Sequence, residues 1–402
     1  MLRVLYIIGV VLLCRCTCMA QQFKAGKVQL SVVQQQGLRK GKGFSAFGLD
    51  NHFVWGASVI RAKEDGRYYL FYAAMEAGPD CPKFNDAWTM GSKIGVAVSE
   101  TPEGGFRNLG FVLNKDGYTP DKSAWDAQTI SNPHVHRYGN RYYLYYCASR
   151  DTMPGDVVKG HLSRRNMLQQ NQKIGVVSFA TVADLLAGRY TPCDKPLIAP
   201  RTRVKSNNVL NPSPQGTQLK PDNLIAVNPA MVYNVQRKEY MLFFKGNIYD
   251  PTWRGVHGVA FADKPDGPFR VTDRFALEFE GANGKKLSAE DPYVWYHRKD
   301  KCYYAVFKDF TGDFTKGAPG LAIMSSKDGE TWQLPEHSLF MPLQLELADG
   351  QVLKVDRLER PQLLLDKHDN PIVLYAACSI DPIDGSKVPV CFNVQIPLQR
   401  IR

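Results

Sequence analysis

The chain contains many short runs of apolar and aromatic residues, each bounded by Gly, Pro, Asn or Asp. Runs that are rich in Val, Ile, Tyr and Phe and end at such residues are typical of β-strands. Only residues 181–187 place apolar side chains at a helical spacing. The pattern therefore predicts an all-β protein with almost no helix.

A unit of two strands occurs five times along the chain. The first strand of each unit contains a characteristic dipeptide, and the second strand is rich in aromatic residues. The dipeptides are Gly56-Ala57, Asn132-Pro133, Asn228-Pro229, Asp291-Pro292 and Arg360-Pro361. The aromatic strands lie at residues 68–72, 142–146, 240–244, 302–307 and 372–375. Internal repeats of this length are typical of propellers and solenoids.

Most copies continue with a third strand of the form Ile-Gly-Val-Ala-Val, followed by a turn and an aromatic residue. Four strands per unit are typical of a propeller blade. The five units predict a five-bladed β-propeller with four-stranded blades around a central channel. We expect residues 28–33 to complete the ring by joining the last blade. A β-sandwich is the alternative fold, but it predicts no repeat of blade length.

The first 20 residues differ from the rest of the chain. Arg3 precedes an apolar run over residues 5–13, and small residues lead up to Ala20. This order is typical of a secretory signal peptide, and the run is too short to span a bilayer. We therefore expect a signal peptide over residues 1–20, one propeller domain over residues 21–402, and a secreted or periplasmic protein without a transmembrane segment. An N-terminal strand, or a lipoprotein anchored through a cysteine before Ala20, is the alternative.

The formal net charge of the chain is +11, and loss of a leader with two arginines and no acid leaves +9. A moderately basic exported protein suits an anionic partner such as an acidic polysaccharide. Export and the absence of Lys/Arg runs argue against nucleic acid as the partner. The composition does not indicate an oligomeric state.

Six cysteines follow residue 20, and three of them lie inside strand-like apolar runs. Such cysteines are typically buried thiols, although Cys378 and Cys391 flank a turn-rich segment and can alternatively form a disulfide. No C-x-x-C pair is present, so a zinc ribbon is disfavoured.

The propeller topology predicts where functional residues meet. The innermost strand of a blade runs down the channel and the second strand returns, so the start of the first and the end of the second share one face. Long loops also follow the aromatic strands there, and such loops commonly carry function. The candidate residues at this face are Trp55, Asp126, Asn132, His134, Asn228, Lys245, Glu290, Asp291, Lys308, Arg357, Glu359 and Arg360.

Carboxylates that converge on one channel mouth suit the hydrolysis of a glycosidic bond. That reaction needs one protonated carboxylic acid and one ionised carboxylate. We predict that Glu290 and Glu359 fill these two roles, in an order left open, and that Asp291 and Asp126 tune or position them. Because neighbouring residues of a strand normally point to opposite faces, we expect only one of Glu290 and Asp291 to face the channel.

Four of the candidate residues are cations: Lys245, Lys308, Arg357 and Arg360. Cations at the mouth can bind a carboxylate or sulfate on a sugar, and Arg can do so with two parallel hydrogen bonds. Alternatively, they neutralise the carboxylates of the channel. We expect Asn132, His134, Asn228 and Trp55 to contribute further substrate contacts.

The repeated pre-proline motif and the Tyr-Tyr-Leu-Phe-Tyr strand resemble those of the five-bladed glycoside hydrolase superfamily, which includes families 43, 32, 68 and 117. In family 43 the base is an Asp directly before Pro in blade one, where this chain has Gly56-Ala57. Asp291 matches an Asp-Pro motif, and Glu290 and Glu359 each lie two residues before Pro, as the acid of family 43 does. The resemblance covers nearly the whole chain after residue 20 and implies a divergent, exported glycosidase.

Two other functions are also compatible with the sequence. A non-catalytic glycan-binding propeller needs no paired acids, and a polysaccharide lyase can use His134 with Tyr249 or Tyr293. No cofactor is expected, and the spacing gives no support for a divalent cation held in the channel by His134 or His257. Motifs of serine hydrolases, zinc proteases and phosphate-binding loops are absent.

Overall fold

The computed structural model describes residues 22–401 except 31, 34–36, 39–43, 78–82, 115–122, 153–155, 202–208, 213, 250–252, 282–283, 318 and 382–387. The predicted signal peptide lies outside the described residues. Among the residues that are described, no helix has the length and apolar character needed to span a bilayer.

Five antiparallel sheets form the five blades, and their innermost strands contact one another in a closed ring. From the channel outwards, blade one contains His52–Arg61, Tyr68–Glu76, Lys93–Ser99 and Arg107–Leu113. Blade two contains Thr129–Tyr138, Arg141–Ser149, Lys173–Phe179 and Thr191–Pro192. Blade three contains Val227–Asn234, Glu239–Tyr249, Trp253–Ala262 and Arg270–Val271. Blade four contains Ala289–His297, Cys302–Asp309, Gly320–Ser326 and Trp332–Gln333.

Blade five joins the two ends of the described chain. Its inner strands are Arg357–Leu365, Pro371–Ser379 and Cys391–Arg400, and its outermost strand is Phe23–Ala25. The prediction of a five-bladed propeller is confirmed, but the predicted closing strand at residues 28–33 is wrong. Phe23–Ala25 covers the open edge of the last strand instead, because Phe23 also packs against Phe340 at a ring-centroid distance of 5.4 Å.

Shorter elements lie on the loops or extend the blade sheets, as Ala46–Phe47 does beside the Cys391–Arg400 strand of blade five and Leu339–Pro342 does beside the third strand of blade four. Helices α1 (Phe84–Met90) and α2 (Arg164–Gln170) lie on loops, and α3 (Val182–Leu186) agrees with the helical pattern at residues 181–187. The short strands are Val32–Val33, Gly37–Leu38, Ala46–Phe47, Val158–Lys159, Val209–Leu210, Leu339–Pro342, Gln344–Glu346 and Val352–Lys354. Helices α1 and α2 were not predicted, because each is only two turns long.

The repeated aromatic and glycine positions explain how the strands pack. Tyr145 and Tyr375 are fully buried on second strands, and their hydroxyls donate to carbonyls of Pro265 and Pro102 in other blades. Gly95 leaves room for such a ring, since a Cβ there would lie 2.3 Å from Tyr72. The Ile-Gly-Val motif of the third strand thus accommodates the aromatic second strand.

The two cysteines that could have formed a bridge are free thiols. Cys378 and Cys391 are both buried on adjacent strands of blade five. Burial raises the pKa of the Cys391 thiol to about 12. Both side chains therefore act as buried apolar groups, and the alternative of a disulfide between them is wrong.

Every innermost strand contains a β-bulge at the same point. Two residues of the inner strand face one residue of the second strand, between Val54 and Ala57 in blade one and at the matching positions elsewhere. The bulged pairs are Trp55-Gly56, Asn132-Pro133, Asn228-Pro229, Asp291-Pro292 and Arg360-Pro361. The repeated proline fits here because a bulged residue gives no N–H to the ladder.

The first residue of four of these pairs has a left-handed backbone. The φ angles are 53° at Asn132, 56° at Asn228, 58° at Asp291 and 53° at Arg360. The register also corrects the expected alignment of blade one, where Trp55, rather than Gly56, occupies the pre-proline position. We call Trp55, Asn132, Asn228, Asp291 and Arg360 the bulge residues.

Candidate active site

A pocket of about 290 Å³ lies at the start of the innermost strands, and all five blades contribute to it. The five bulge residues line it together with the residues that precede them in blades two to five. Glu290 and Asp291 therefore both face the pocket, as do Glu359 and Arg360. The expectation that only one of Glu290 and Asp291 does so is wrong, because the bulge interrupts the alternation of the strand.

A chain of hydrogen bonds joins four of the bulge residues around the channel. Asn132 Nδ2 donates to Asn228 Oδ1 at 2.7 Å, and Asn228 Nδ2 donates to Asp291 Oδ1 at 2.5 Å. From the other side, the Arg360 backbone N–H donates to Asp291 Oδ2 at 3.1 Å. Asp291 thus accepts hydrogen bonds from both directions and holds its neighbours in place.

Arg360 lies deepest of the cations in this pocket. Its side chain is 3% exposed, and its Nη1 is 3.4 Å from Asp291 Oδ1. It packs over Gly56, where a Cβ would lie 3.0 Å from its Nε. That Nε is buried and has no hydrogen-bond partner among the described residues.

Each glutamate is paired with a lysine from the preceding blade. Lys245 of blade three binds Glu290 of blade four, and Lys308 of blade four binds Glu359 of blade five. Arg357 Nη1 also lies 3.3 Å from Glu359 Oε1. Glu359 is therefore held by two cations and Glu290 by one.

Lys308 stands between the two glutamates. It is the cross-strand neighbour of Glu290, while its ammonium contacts Glu359. Burial opposes the charge of this ammonium, but the carboxylates of Glu359 and Glu290 outweigh that effect and raise the pKa of Lys308. Lys308 is therefore cationic and attracts both carboxylates.

Aromatic side chains form two walls of the pocket. Trp253 and Phe310 stand beside the lysines, with Lys245 Nζ 5.4 Å from the Trp253 ring centroid and Lys308 Nζ 3.9 Å from that of Phe310. The other wall contains Phe84 and Trp88 of α1. Phe84, Trp88 and Phe310 were not predicted as site residues, although the long loops that carry them were.

The wall formed by α1 is tied to α2. The Arg165 side chain donates from Nε to the Asn85 carbonyl at 2.8 Å, and its guanidinium lies 5.3 Å from the Trp88 ring centroid. Gln169 of α2 also lines the pocket. The two helices therefore close the side of the pocket that belongs to blades one and two.

Ten of the twelve predicted site residues line this pocket, and Asp126 does not. It lines a separate cavity that also includes Asn114 of blade one. Trp125 stacks on Tyr146 at 5.9 Å and turns Asp126 towards the Tyr146 hydroxyl, which donates to Oδ2 at 3.1 Å. Burial raises the pKa of Asp126. Its predicted place at the channel mouth is wrong.

His134 also lies outside the pocket, fully buried in the channel. The Met231 N–H donates to Nε2 at 2.9 Å, so Nδ1 carries the proton that is shared with Gln362 Oε1 at 2.8 Å. Burial lowers the pKa of His134 to about 4. A neutral histidine bonded on both ring nitrogens has no free atom for substrate, which corrects its predicted contact role.

The candidates for metal binding or lyase chemistry are His134, His257, Tyr249 and Tyr293. Among the described residues, no group of three or more His, Cys, Asp or Glu side chains is arranged to hold a metal ion. Tyr293 is buried and donates to the Leu363 carbonyl at 3.0 Å, and the Tyr249 side chain lies outside the described residues. His134 and Tyr293 therefore do not form a proton-transfer pair in the pocket.

No protein-family model matches the chain, and no curated protein matches it in sequence. Solved structures do match its fold. A family 117 glycoside hydrolase of the marine bacterium Zobellia galactanivorans aligns at a TM-score of 0.55 and 15% identity, over 94% of this chain and 90% of that one. The catalytic domain of the Coprinopsis cinerea GH62 α-L-arabinofuranosidase aligns at 0.52 and 13% identity, over 94% and 97%.

A thermostable family 43 glycoside hydrolase is similar at a TM-score of 0.51 and 13% identity, over 87% of this chain and 90% of that one. The structural neighbours are therefore glycoside hydrolases of families 117, 62 and 43. At these identities the likeness establishes the fold. The chain has the five-bladed propeller fold of these glycoside hydrolases, in agreement with the resemblance in its sequence.

Proposed function

We propose that this protein is a glycoside hydrolase whose reacting carboxylates are Glu290 and Glu359. The observation that carries the proposal is the pair of glutamates on adjacent inner strands, both in one pocket and each bound to a lysine. Glycoside hydrolysis needs two carboxyl groups on either side of the scissile bond. The fold of the structural neighbours supports the same reaction class.

The cations suggest which glutamate has which role. Glu359 contacts both Lys308 and Arg357, whereas Glu290 contacts Lys245, and a site between two cations suits a group that reacts as an anion. We therefore assign Glu359 as the nucleophile or base, and Glu290 as the acid that protonates the leaving oxygen. Asp291 acts as a positioning residue, because its oxygens are already bonded to Asn228 and Arg360.

The charge of the pocket favours an anionic sugar as substrate. Three carboxylates, Glu290, Asp291 and Glu359, face four cations, Lys245, Lys308, Arg357 and Arg360. If Glu290 carries its catalytic proton, the cations are in excess by two. A carboxylate or sulfate on the sugar would balance this excess. The leader at residues 1–20 would bring the enzyme to an extracellular or periplasmic glycan.

The first experiment tests the reaction and the two roles together. Wild type, Glu290→Gln and Glu359→Gln are assayed on neutral, uronic and sulfated oligosaccharides and on dinitrophenyl glycosides. A dinitrophenolate leaves without a proton, so Glu290→Gln should keep activity on that substrate class and lose it on oligosaccharides. Glu359→Gln should lose both.

The matched control is Glu76→Gln, which removes an exposed carboxylate that is paired with Lys93 outside the pocket. It should leave all activities unchanged. Wild-type turnover in both pocket variants would disprove the assignment. Binding of glycans by wild type without any hydrolysis would instead identify a glycan-binding propeller. Equal activity on neutral and charged sugars would mean that the cations only neutralise the carboxylates of the pocket and do not bind the substrate.

A further inference from the structure

One aromatic side chain at the pocket is exposed, and the reaction proposed above does not use it. Trp253 is 42% exposed and lines the pocket, whereas Trp55 is 5% exposed and packs against Phe84 at a ring distance of 4.3 Å. An exposed aromatic ring beside a polar pocket offers a flat apolar face on which a ligand ring can stack.

The position of Trp253 is fixed by its surroundings. It begins the third strand of blade three, where it pairs with Tyr249 at the end of a long hairpin. Phe310 contacts it edge to face, with ring centroids 6.0 Å apart. Trp253 and Phe310 thus form a preformed aromatic rim, to which we refer as the Trp253–Phe310 rim.

The loop that carries Phe310 is also well ordered by hydrogen bonds. The buried Asp309 carboxylate accepts from the backbone N–H groups of Gly312 and Thr315, each at 3.0 Å, and from that of Thr311 at 3.2 Å. Such a loop presents its aromatic ring in one position, so a ligand that stacks on the rim loses little free energy in ordering it.

The rim lies on the side of the general acid. Lys245 binds the Glu290 carboxylate, and the same ammonium lies over the Trp253 ring. The acid must stand next to the oxygen that leaves with the departing sugar. The departing sugar therefore lies on the side of the pocket that carries Trp253.

The size and closure of the pocket limit what enters it. A volume of about 290 Å³ is at the lower end of the range for ligand pockets, which suits a single sugar ring. Helices α1 and α2 close the opposite side, where Arg165 covers Trp88. Among the residues that the structure describes, the pocket is thus walled on the side that faces away from Trp253.

We infer that the Trp253–Phe310 rim is a leaving-group subsite, and that the enzyme removes a terminal sugar from the end of a glycan. The terminal ring occupies the pocket, and the next ring stacks on Trp253. In the reaction Glu290 gives its proton to the oxygen between the two rings, and water supplies the hydroxyl of the released terminal sugar. The inference rests on the proposed hydrolase function.

The test first identifies the terminal sugar that wild type releases. It then compares two substrates in which this sugar is the terminal ring, namely a disaccharide and a methyl glycoside. Only the disaccharide has a second ring that reaches the rim. Trp253→Ala should raise KM for the disaccharide about tenfold, the effect of losing one stacking contact, and leave the methyl glycoside within twofold. Trp253→Phe should restore most of the loss, since it keeps a flat ring.

The control is Tyr233→Ala, which removes another partly exposed aromatic ring of blade three that does not line the pocket. An equal loss on both substrates, or none on the disaccharide, would overturn the subsite. A ladder of internal fragments as first products from a polysaccharide would overturn removal of a terminal sugar.

Failure of the hydrolase proposal gives a different result. If wild type cleaves no glycan, calorimetric binding of the disaccharides and methyl glycosides from the same panel still tests the rim. In that case Trp253→Ala must weaken disaccharide binding selectively, and a variant that binds both ligands as wild type does would refute the subsite.

Discussion

Blades one and two, on one side of the ring, have the same β-bulge at the pocket as blades four and five on the other side, but they carry different side chains. At the position before the bulge, blades one and two carry Val54 and Ser131, whereas blades four and five carry Glu290 and Glu359. The register and the bulge are the same in all four blades. The repeated backbone therefore determines where side chains enter the pocket, and the residue type at each position determines whether that part of the pocket is charged.

The difference extends to the second strands. Ala74 and Cys147 lie opposite Val54 and Ser131, whereas Lys308 lies opposite Glu290. The ion pairs on the charged side join neighbouring blades, since each glutamate binds a lysine of the preceding blade. We expect the reacting groups on that side and the enclosing wall on the other.

The variants Glu359→Gln and Ser131→Ala change equivalent positions on the two sides of the ring, and we expect the greatest difference between them. Glu359→Gln should lower kcat about 10³-fold or more on an oligosaccharide, as removal of a reacting carboxylate does. Ser131→Ala, at the same position in blade two, should change kcat less than threefold. Steady-state kinetics of the two variants measure the contrast, and comparable losses would mean that the sides are not functionally different.

Asp291→Asn should give the next largest effect, by leaving Arg360 buried without its partner. Removal of one member of a buried ion pair typically costs about 3 kcal/mol or more of unfolding free energy. Asn132→Ala on the neutral side should cost about 1–2 kcal/mol, because it loses one hydrogen bond and places Ala in a left-handed backbone. Urea unfolding measures both, and Asp291→Asn combined with Arg360→Gln should recover part of the loss. A fully additive double variant would show that the pair is not coupled.

Because His134 and His257 are buried, we expect the free energy of unfolding to decrease at acidic pH. Burial lowers the pKa of His134 to about 4 and that of His257 to about 3. The unfolded chain binds these protons near pH 6.5, so stability is lost as the pH falls from 6.5 towards 4. His134→Asn should remove on the order of 3 kcal/mol of this dependence. Unfolding curves at pH 7, 5.5 and 4 check it, and an unchanged slope would contradict it.

The smallest effect is expected at the contact between Gly56 of blade one and Arg360 of blade five. In Gly56→Ala the new Cβ lies 3.0 Å from Nε, 3.1 Å from Cγ and 3.3 Å from Cβ of Arg360, so the whole Arg360 side chain must shift by a few tenths of an ångström. Because Arg360 is buried and must move from its base, stability should fall by about 1 kcal/mol, while activity falls several-fold. Gly91→Ala is the control, since nothing lies within 4 Å of its Cβ. Kinetic parameters that match wild type would show that Arg360 does not contribute to turnover.

Features that depend on local sequence could be predicted. The dipeptide and aromatic strand of each unit determined the five blades, and Glu290, Asp291, Glu359 and Arg360 were predicted to lie at the channel mouth. The direction of Asp291 could not be predicted, because a bulge is a property of strand pairing. The closing strand was misplaced for the same reason, since Phe23 pairs with residues near the far end of the chain.

Tertiary contacts explain the other differences. Asp126 lies outside the pocket because Trp125 stacks on Tyr146, a contact that sequence spacing does not reveal. His134 lies on the predicted strand but points to Gln362 across the channel. Trp88 and Phe310 belong to loops whose positions could be predicted but whose conformations could not, because their packing partners lie on other elements.

The left-handed bulge residues have a consequence for substitutions at these positions. Asn and Asp adopt this backbone more readily than other non-glycine residues, so Asn132, Asn228 and Asp291 are well suited to it and Arg360 is the exception. A single Asn-to-Asp replacement at 132 or 228 would place a carboxylate in a different blade without moving the backbone. The same backbone can therefore carry a neutral or an ionisable side chain at the bulge of blades two to five, so a single substitution can change the charge of the bulge residues while the fold stays the same.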